Sequence, residues 1–392
     1  MKDALDVVMA WQLRNPDSTD AEAAIEAVRA SREKQTDSEL PSRLASHFLQ
    51  LTIPPFFPQN KANLNALETS RQPAPWKEPG AQYALELLEW SIGALSRKEK
   101  EMKWHLLVPP ILKMIDDIDA AWKARGCHML GILLNALRQP PTADRSSKKM
   151  GNTQTSADFL QRTGFQNVFA EALLPLFTYI PSLTPEAEAV ALFKELFPTL
   201  TALALLLPLE HSKGSTRDDL LDKIVREGVL APLAHFPTPS AYPELATTIT
   251  SHLLSLLGNL GIGSVKHLPH IVPLLSTILQ EPFVVNHKAL AISTLRAYQA
   301  VVQNAWPRIP MHHGAIMMGL TLCWGRCMEE SSSVEHIQHV KEEIQETVAM
   351  LDAVMQTADE TPTSGRRERE KQELVATSPA YKGLFERCTP RE

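Results

Sequence analysis

The sequence predicts an all-α chain, a HEAT-like α-solenoid of irregular antiparallel helix pairs, and three observations carry the prediction. The first is composition: 29 Pro stand against 16 Gly in 392 residues. Sheet-rich and α/β chains need Gly for hairpin turns and phosphate loops, whereas stacked short helices accept Pro at first helical positions and in connections. The second is a 3–4 residue spacing of apolar side chains that recurs from Gln82 to Ala358. The third is an apolar–apolar–Pro–apolar signature at Pro109, Pro175, Pro232 and Pro273, read as starting the first helix of each pair. Pro232 and Pro273 stand 41 positions apart (273 − 232), inside the ~40–47-residue period of HEAT and armadillo repeats. One pair cannot bury its apolar stripe alone, so several must stack. The alternative is an irregular helical bundle with accidental Pro spacing.

In chain order the reading gives three parts. Residues 1–80 hold N-terminal helices within 1–30, a loose polar stretch from Ser31 to Ser42, and a Pro-rich, mostly non-helical connection over 52–80. Residues 81–358 are the solenoid. It opens with a helix carrying Ala84, Leu87, Leu88, Ile92 and Leu95, which the charged run Arg97 to Lys103 closes. Leu106 to Ile115 and Lys123 to Leu137 form the first clear pair, around the polar turn Asp116, Asp117, Asp119. A polar loop covers 140–156. Phe159 to Phe177 lead to a helix from Glu186 to Leu207, with Thr184 as N-cap and Pro185 at the first helical position. Further units carry helices over Pro243–Leu257, Val285–Trp306, Pro310–Glu329 and Val334–Ala358. Residues 359–392 are Thr/Arg/Glu-rich and read as a disordered tail.

Composition also bounds function. A formal net charge of −6 argues against the basic face that nucleic-acid binding needs. Four Cys make no disulfide framework and point to a reduced compartment. Met1 to Trp11 has no signal-peptide pattern. The apolar stretch Leu203 to Leu209 is short of a membrane span and interrupted by Pro208. The expectation is a protein of cytoplasm and nucleus with no membrane partner. No Gly-Lys-Ser/Thr phosphate loop and no Gly-x-Ser-x-Gly elbow occurs. Gly258, Gly261 and Gly263 follow a helix, not a strand, and fit a C-cap and loop. No catalytic, cofactor-binding or metal-ligating residue is therefore assigned, and an enzyme is not expected.

Two clusters have a chemical and a bland reading. His312, His313, Cys323, Cys327, His336 and His339 lie close in sequence. Cys323/Cys327 and His336/His339 each share a helix face, so two pairing helices would offer zinc four ligands, or a Cys–His nucleophile pair. The bland reading, which we prefer, makes the cysteines small core hydrophobes beside Trp324 and the histidines solvent-facing. Asp116, Asp117 and Asp119 would suit a metal or acid–base chemistry. Capping and pairing across a turn, with Asp117 as N-cap and Lys123 and Arg125 as basic partners, is the better account.

Two stretches carry a family resemblance: PPILKMIDDIDAAWKARGCHML (Pro109 to Leu130) and LQRTGFQNVFAEALLPLFTYIPSLTPEAEAVAL (Leu160 to Leu192). Both resemble the middle of the Tel-two-interacting protein two family. The residues that carry the likeness include Pro110, Asp116, Asp117, Lys123, Gly126 and Leu130 in the first stretch. In the second they include Arg162, Thr163, Gly164, Phe169, Leu174, Pro175 and Pro185. The resemblance covers residues 105–210 and, more loosely, the helices to about residue 356. It implies a non-enzymatic scaffold, a subunit of the TTT co-chaperone complex. Such a subunit binds the Tti-one helical-repeat subunit and through it Tel-two. With Hsp90 and its R2TP adaptors the complex matures phosphatidylinositol 3-kinase-related kinases. The histidine–cysteine cluster is no part of that family pattern.

The helix Pro310 to Arg326 is apolar nearly all round, with Ile316, Met317, Met318, Leu320 and Trp324, and Phe283, Val284 and Trp306 add to the surplus. Such a helix needs cover on both sides. Residues 282–356, with Trp306 and Trp324 among them, are the expected contact with a helical-repeat partner. The competing reading is another HEAT-type adaptor of nuclear-transport or phosphatase-regulatory kind.

Overall fold

The computed structural model describes residues 40–58, 74–78, 81–138, 159–208, 216–330, 334–358 and 364–386. The helices expected within residues 1–30 and the loop 140–156 lie outside the described residues. Among the described residues every regular element is helical and none is a strand, so the chain is all-α. Its contacts divide into two units, 1–172 and 173–392.

Unit 1 holds α1 (Leu40–His47), α2 (Gln82–Ala94), α3 (Arg97–Met102), α4 (Trp104–Ile115), α5 (Ala120–Arg138) and α6 (Phe165–Leu173), which runs to the unit's end. The stretch read as loose to Ser42 already begins α1, and a wider turn follows whose Phe48 and Leu49 are fully buried. The described parts of the Pro-rich connection are short 3-10 turns, Pro54–Phe56 and Pro75–Lys77. Aromatic rings tie them down: Phe57 stacks on Trp76 at 5.7 Å, and Trp76 meets Trp122 of α5 edge-on at 4.9 Å. The charged run Arg97–Lys103 does not merely close α2. Ser96 and Glu99 form a reciprocal capping box that starts α3.

The α4–α5 hairpin is built around its acidic turn. Asp116 N–H donates to Leu112 O at 2.8 Å and closes α4. Asp119, not Asp117, caps α5: its Oδ1 accepts from Ala121 N at 2.8 Å. Asp117 is one step too early for that bond. Its Oδ1 accepts from Asp119 N (2.9 Å) and from Lys77 Nζ (2.8 Å), which pins the upstream Trp76 turn to the hairpin. The buried Lys123 ammonium donates to Ile115 O at 2.9 Å, serving the carbonyl end of α4. Gly126 lets the two helices touch: a Cβ there would stand 2.8 Å from both Ile115 Cγ1 and Ile115 N.

Unit 2 holds α7 (Glu186–Leu206), α8 (Arg217–Lys223), α9 (Ala231–His235), α10 (Pro243–Leu260), α11 (Leu268–Gln280), α12 (Lys288–Ala305), α13 (His313–Glu329), α14 (Val334–Ala358) and α15 (Ser364–Thr377). A π-helical stretch, Ile224–Leu230, joins α8 to α9 without a break. One row of neighbours runs α7, α10, α12, α14; a second runs from the π stretch through α11 to α13, with α11 against α12 and α13 against α14. Helix α7 starts at Glu186 because Pro185 is still extended (ψ 143°), so Pro185 holds the cap position and Thr184 caps nothing. By length and composition alone α7 and the Pro243–Gln280 stretch are each long and apolar enough to cross a membrane, longer than the stretch weighed from the sequence, as a buried core helix can also be. Most of the apolar length of α7 is buried within the unit.

The Pro signature starts no long helix: only Pro232, second residue of the short α9, and Pro175, second residue of a 3-10 turn, stand at the start of an element. Pro109 and Pro273 lie inside α4 and α11, Pro232 lies near the end of the α8–α9 run, and Pro175 sits in the 3-10 turn that follows α6. Proline lacks the N–H that bonds back into the preceding turn. The helix adapts upstream by widening before Pro232 and tightening around Pro175. The ring of Phe177 then lies against Gly228, where a Cβ would stand 2.5 Å from Phe177 Cζ.

The tail also differs from expectation. Residues 364–386 form α15 and a 3-10 turn, Pro379–Phe385, whose Leu384 is 1% exposed against α13 and α14. Its short apolar run, Pro379-Ala380-Tyr381 and Leu384-Phe385, is enough to dock a segment that is otherwise polar.

Three outcomes follow from this packing. Asp119→Ala lowers the melting stability of the hairpin by about 0.5–2 kcal/mol, the usual loss of an N-cap. Asp117→Ala costs less, because it removes an ion pair of partial exposure worth roughly 0–1 kcal/mol. Denaturant titration of both variants orders them, and a larger loss for Asp117→Ala reverses the assignment. Gly126→Ala forces α4 and α5 apart and destabilises by about 1–3 kcal/mol; unchanged stability means the helices can separate freely. Finally, half-buried His252 on α10 stacks on Phe197 of α7 at 4.8 Å, and burial lowers its pKa from 6.5 to about 4. The unfolded chain then binds the proton more readily. The stabilisation is whole above pH 6.5 and lost as pH falls towards 4, by roughly 1–3 kcal/mol. His252→Gln makes the stability profile flatter in that window, read by denaturant midpoints against pH.

Candidate interaction surface

The nine residues singled out from the sequence fall into different settings. In unit 1, Asp116, Asp117, Lys123 and Gly126 belong to the α4–α5 hairpin just described. Arg125 reaches back to α2, its guanidinium 2.5 Å from the Glu89 carboxylate, with His128 3.7 Å from the same group. These contacts are internal and structural. Gly164 breaks the helix between residue 163 and α6 with φ +71°, a left-handed conformation that favours glycine. Arg162 beside it is exposed.

Trp306 and Trp324, in unit 2, part company. Trp306 follows α12 and is 51% exposed. Trp324 on α13 is 4% exposed, its Nε1–H donating to Ala380 O at 3.0 Å. Lys341 lies over its ring at 5.8 Å, and Gly383 packs so closely that a Cβ there would stand 3.0 Å from it. The chain's own C-terminal turn is thus the cover for this tryptophan. Gln345 Nε2 donates to Gly383 O at 2.6 Å and fixes the same turn to α14.

The rest of α13 is divided by the same neighbours. Ile316, Leu320, Cys323 and Cys327 are buried. Gly319 brings α13 against α11, where a Cβ would stand 3.1 Å from Ser276 Oγ, and Ser276 Oγ donates to Ala315 O at 3.0 Å. Met318, Leu322 and Met328 lie on the side that no described helix covers, and Met311 precedes them. Phe283, in the turn after α11, is 64% exposed. These side chains, together with Trp306, give unit 2 a set of large apolar groups in water.

The histidines and cysteines do not converge. Cys323 and Cys327 face one another within α13. The hydrogen bond between their thiols, then burial, pushes Cys323 well up; the same bond brings Cys327 down. His336 Nε2 lies 2.9 Å from Val285 O and His339 Nε2 3.8 Å from Glu343 Oε1, each with partners of its own. Among the described residues no three His, Cys, Asp or Glu side chains gather as a metal set.

The sequence reading missed the C-terminal turn that covers Trp324. Its signal was present in the apolar residues at Pro379–Phe385, but the charged run before them masked it.

Comparison with known proteins gives the chain its relatives. No solved structure matches. TEL2-interacting protein 2 of Saccharomyces cerevisiae (strain ATCC 204508 / S288c) is 24% identical over 276 residues, 69% of this chain. This chain covers 62% of that relative's length, under two thirds of it. The family model described as the Tti2 family matches residues 8–286, more than half of the chain: nearly all of unit 1 and the part of unit 2 that precedes α12. On that match, the chain belongs to the Tti2 family.

Proposed function

We propose that this chain is a non-enzymatic scaffold subunit of the TTT co-chaperone complex. On this reading it holds a Tti-one-type helical-repeat subunit and through it Tel-two, and works with Hsp90 and R2TP adaptors in cytoplasm and nucleus. Its clients are then phosphatidylinositol 3-kinase-related kinases. Family membership supports the reading, and the relative's name describes that protein as interacting with TEL2. The two rows of unit 2 support a HEAT-like solenoid, since each helix buries its stripe against the next and leaves long surfaces for partners.

The observation that carries the proposal is the uncovered apolar set of Phe283, Trp306, Met311, Met318, Leu322 and Met328. It lies inside residues 282–356, and water-exposed apolar groups of this kind mark interaction sites. The chain's own C-terminal turn covers Trp324, and the half-exposed Met318 and Leu322 are the part of α13 proposed for the partner contact.

The test is tagged purification from native extract with identification of stoichiometric partners, followed by co-expression of the captured helical-repeat subunit with variants. Met318→Glu combined with Leu322→Glu is expected to reduce capture about tenfold or more, as for central apolar contacts, while helicity by circular dichroism stays unchanged. Capture at full stoichiometry by that variant, or by a fragment ending near residue 265, places the contact elsewhere. A partner set of transport receptors or phosphatase subunits supports the competing adaptor reading instead.

A further inference from the structure

The first row of unit 2 carries a groove on a different surface from α13. Thr247, Ser251 and Leu254 of α10 face Ala289, Ile292 and Ser293 of α12 across it. It continues past Val190 on α7 to the start of α14. Two adjoining cavities, of about 520 and 790 Å³, share Thr247, Ser251, Lys288 and Ala289 and form one continuous trough. Its floor is short side chains with apolar patches at Val190, Leu254 and Ile292, so a second chain can approach the helices closely.

The charges around the trough are unequal. Lys194 stands on α7, Lys288 and Arg296 on α12, and His252, His287 and His336 add imidazoles along the walls. The one carboxylate on the lining is Glu244. Arg296 is engaged by Glu343 at 2.8 Å, but neither Lys194 nor Lys288 has an ion-pair partner among the described residues. With Arg296 neutralised by Glu343, the lining keeps two ammonium groups, Lys194 and Lys288, against the one carboxylate of Glu244, beside which Glu186 accepts from Glu244 N–H. Potentials of opposite sign are how such surfaces select and orient partners.

We propose that the trough between α10 and α12, flanked by Lys194 and Lys288, is a docking site for an acidic, partly apolar polypeptide segment of a partner protein. Carboxylates of the segment meet the two lysines, and its apolar side chains lie on Val190, Leu254 and Ile292. Nucleic acid fits less well, because the apolar floor offers its bases no aromatic platform and Glu244 repels a continuous phosphate chain.

The test uses the full chain and a fluorescein-labelled Glu/Asp-rich peptide with interspersed Leu, read by fluorescence anisotropy. Saturable binding that weakens with added salt is expected, with the Kd rising roughly tenfold or more in Lys194→Glu/Lys288→Glu. Arg308→Glu, an exposed cation outside the trough, leaves the Kd unchanged. Lys194→Gln/Lys288→Gln provides a milder neutralisation if the charge reversal perturbs folding, and it too weakens binding. The proposal is overturned if the acidic peptide shows no saturable binding, or binds the lysine variants as tightly as the wild type. Equal binding of a Lys/Leu peptide, or displacement of the acidic peptide by a single-stranded oligonucleotide at similar concentration, overturns it as well.

Discussion

The burial of α12 is the constraint on which unit 2 depends. The helix packs against α10, α11 and α14 at once, and Leu290, Ala291, Leu295, Ala297, Tyr298 and Val301 are all fully enclosed. Burying a large apolar side chain is worth roughly 1.5–3 kcal/mol, so no neighbour can leave α12 without loss. Polar groups on the same helix make the docking specific. Tyr298 Oη–H donates to Val272 O of α11 at 2.9 Å, and burial pushes that phenol well above its ordinary pKa. Ser293 and Thr250 share a hydrogen bond of 2.6 Å towards α10. Gln299 Nε2 donates to Glu343 and Thr347 of α14. Such bonds add little each, but leaving them unmade in a buried interface is expensive, so they fix register.

What remains in water is set by that packing. Along α12 only a narrow stripe through Ala289, Arg296 and Gln303 is exposed, and its upper part forms one wall of the trough. On α13 the C-terminal turn takes one side and α11 another, and the Met318–Leu322 side is left over. The two surfaces differ in chemistry. One exposes large apolar side chains; the other sets Lys194 and Lys288 beside a floor of short side chains.

Side-chain types alone mislead at several sites here. The acidic turn at Asp116–Asp119 has the carboxylates of a metal or acid–base site. Two of them are occupied in holding the turn: Asp119 caps α5, and Asp117 accepts from Asp119 N–H and draws Lys77 onto the hairpin. The cysteines of α13 hydrogen-bond one another within the core, while His336 and His339 answer to Val285 and Glu343. In both cases ligand-type residues lie close in sequence but point along different directions once the helices pack.

The sequence by itself determined that the chain is helical, where most helices lie, and which faces are apolar, because 3–4 residue periodicity is local and survives without tertiary context. The helix from Val334 to Ala358 was legible to the residue. Local pattern could not decide where the Pro signatures sit, since the adaptation to Pro232 is a widening several residues upstream. It could not separate Asp117 from Asp119 as the cap, a difference set by a single turn's backbone angles. Nor could it show that Pro379–Phe385 returns to cover Trp324, or that Lys194 and Lys288, 94 positions apart (288 − 194), face one trough. Those are juxtapositions between helices distant in the chain, and only the packing of unit 2 brings them together.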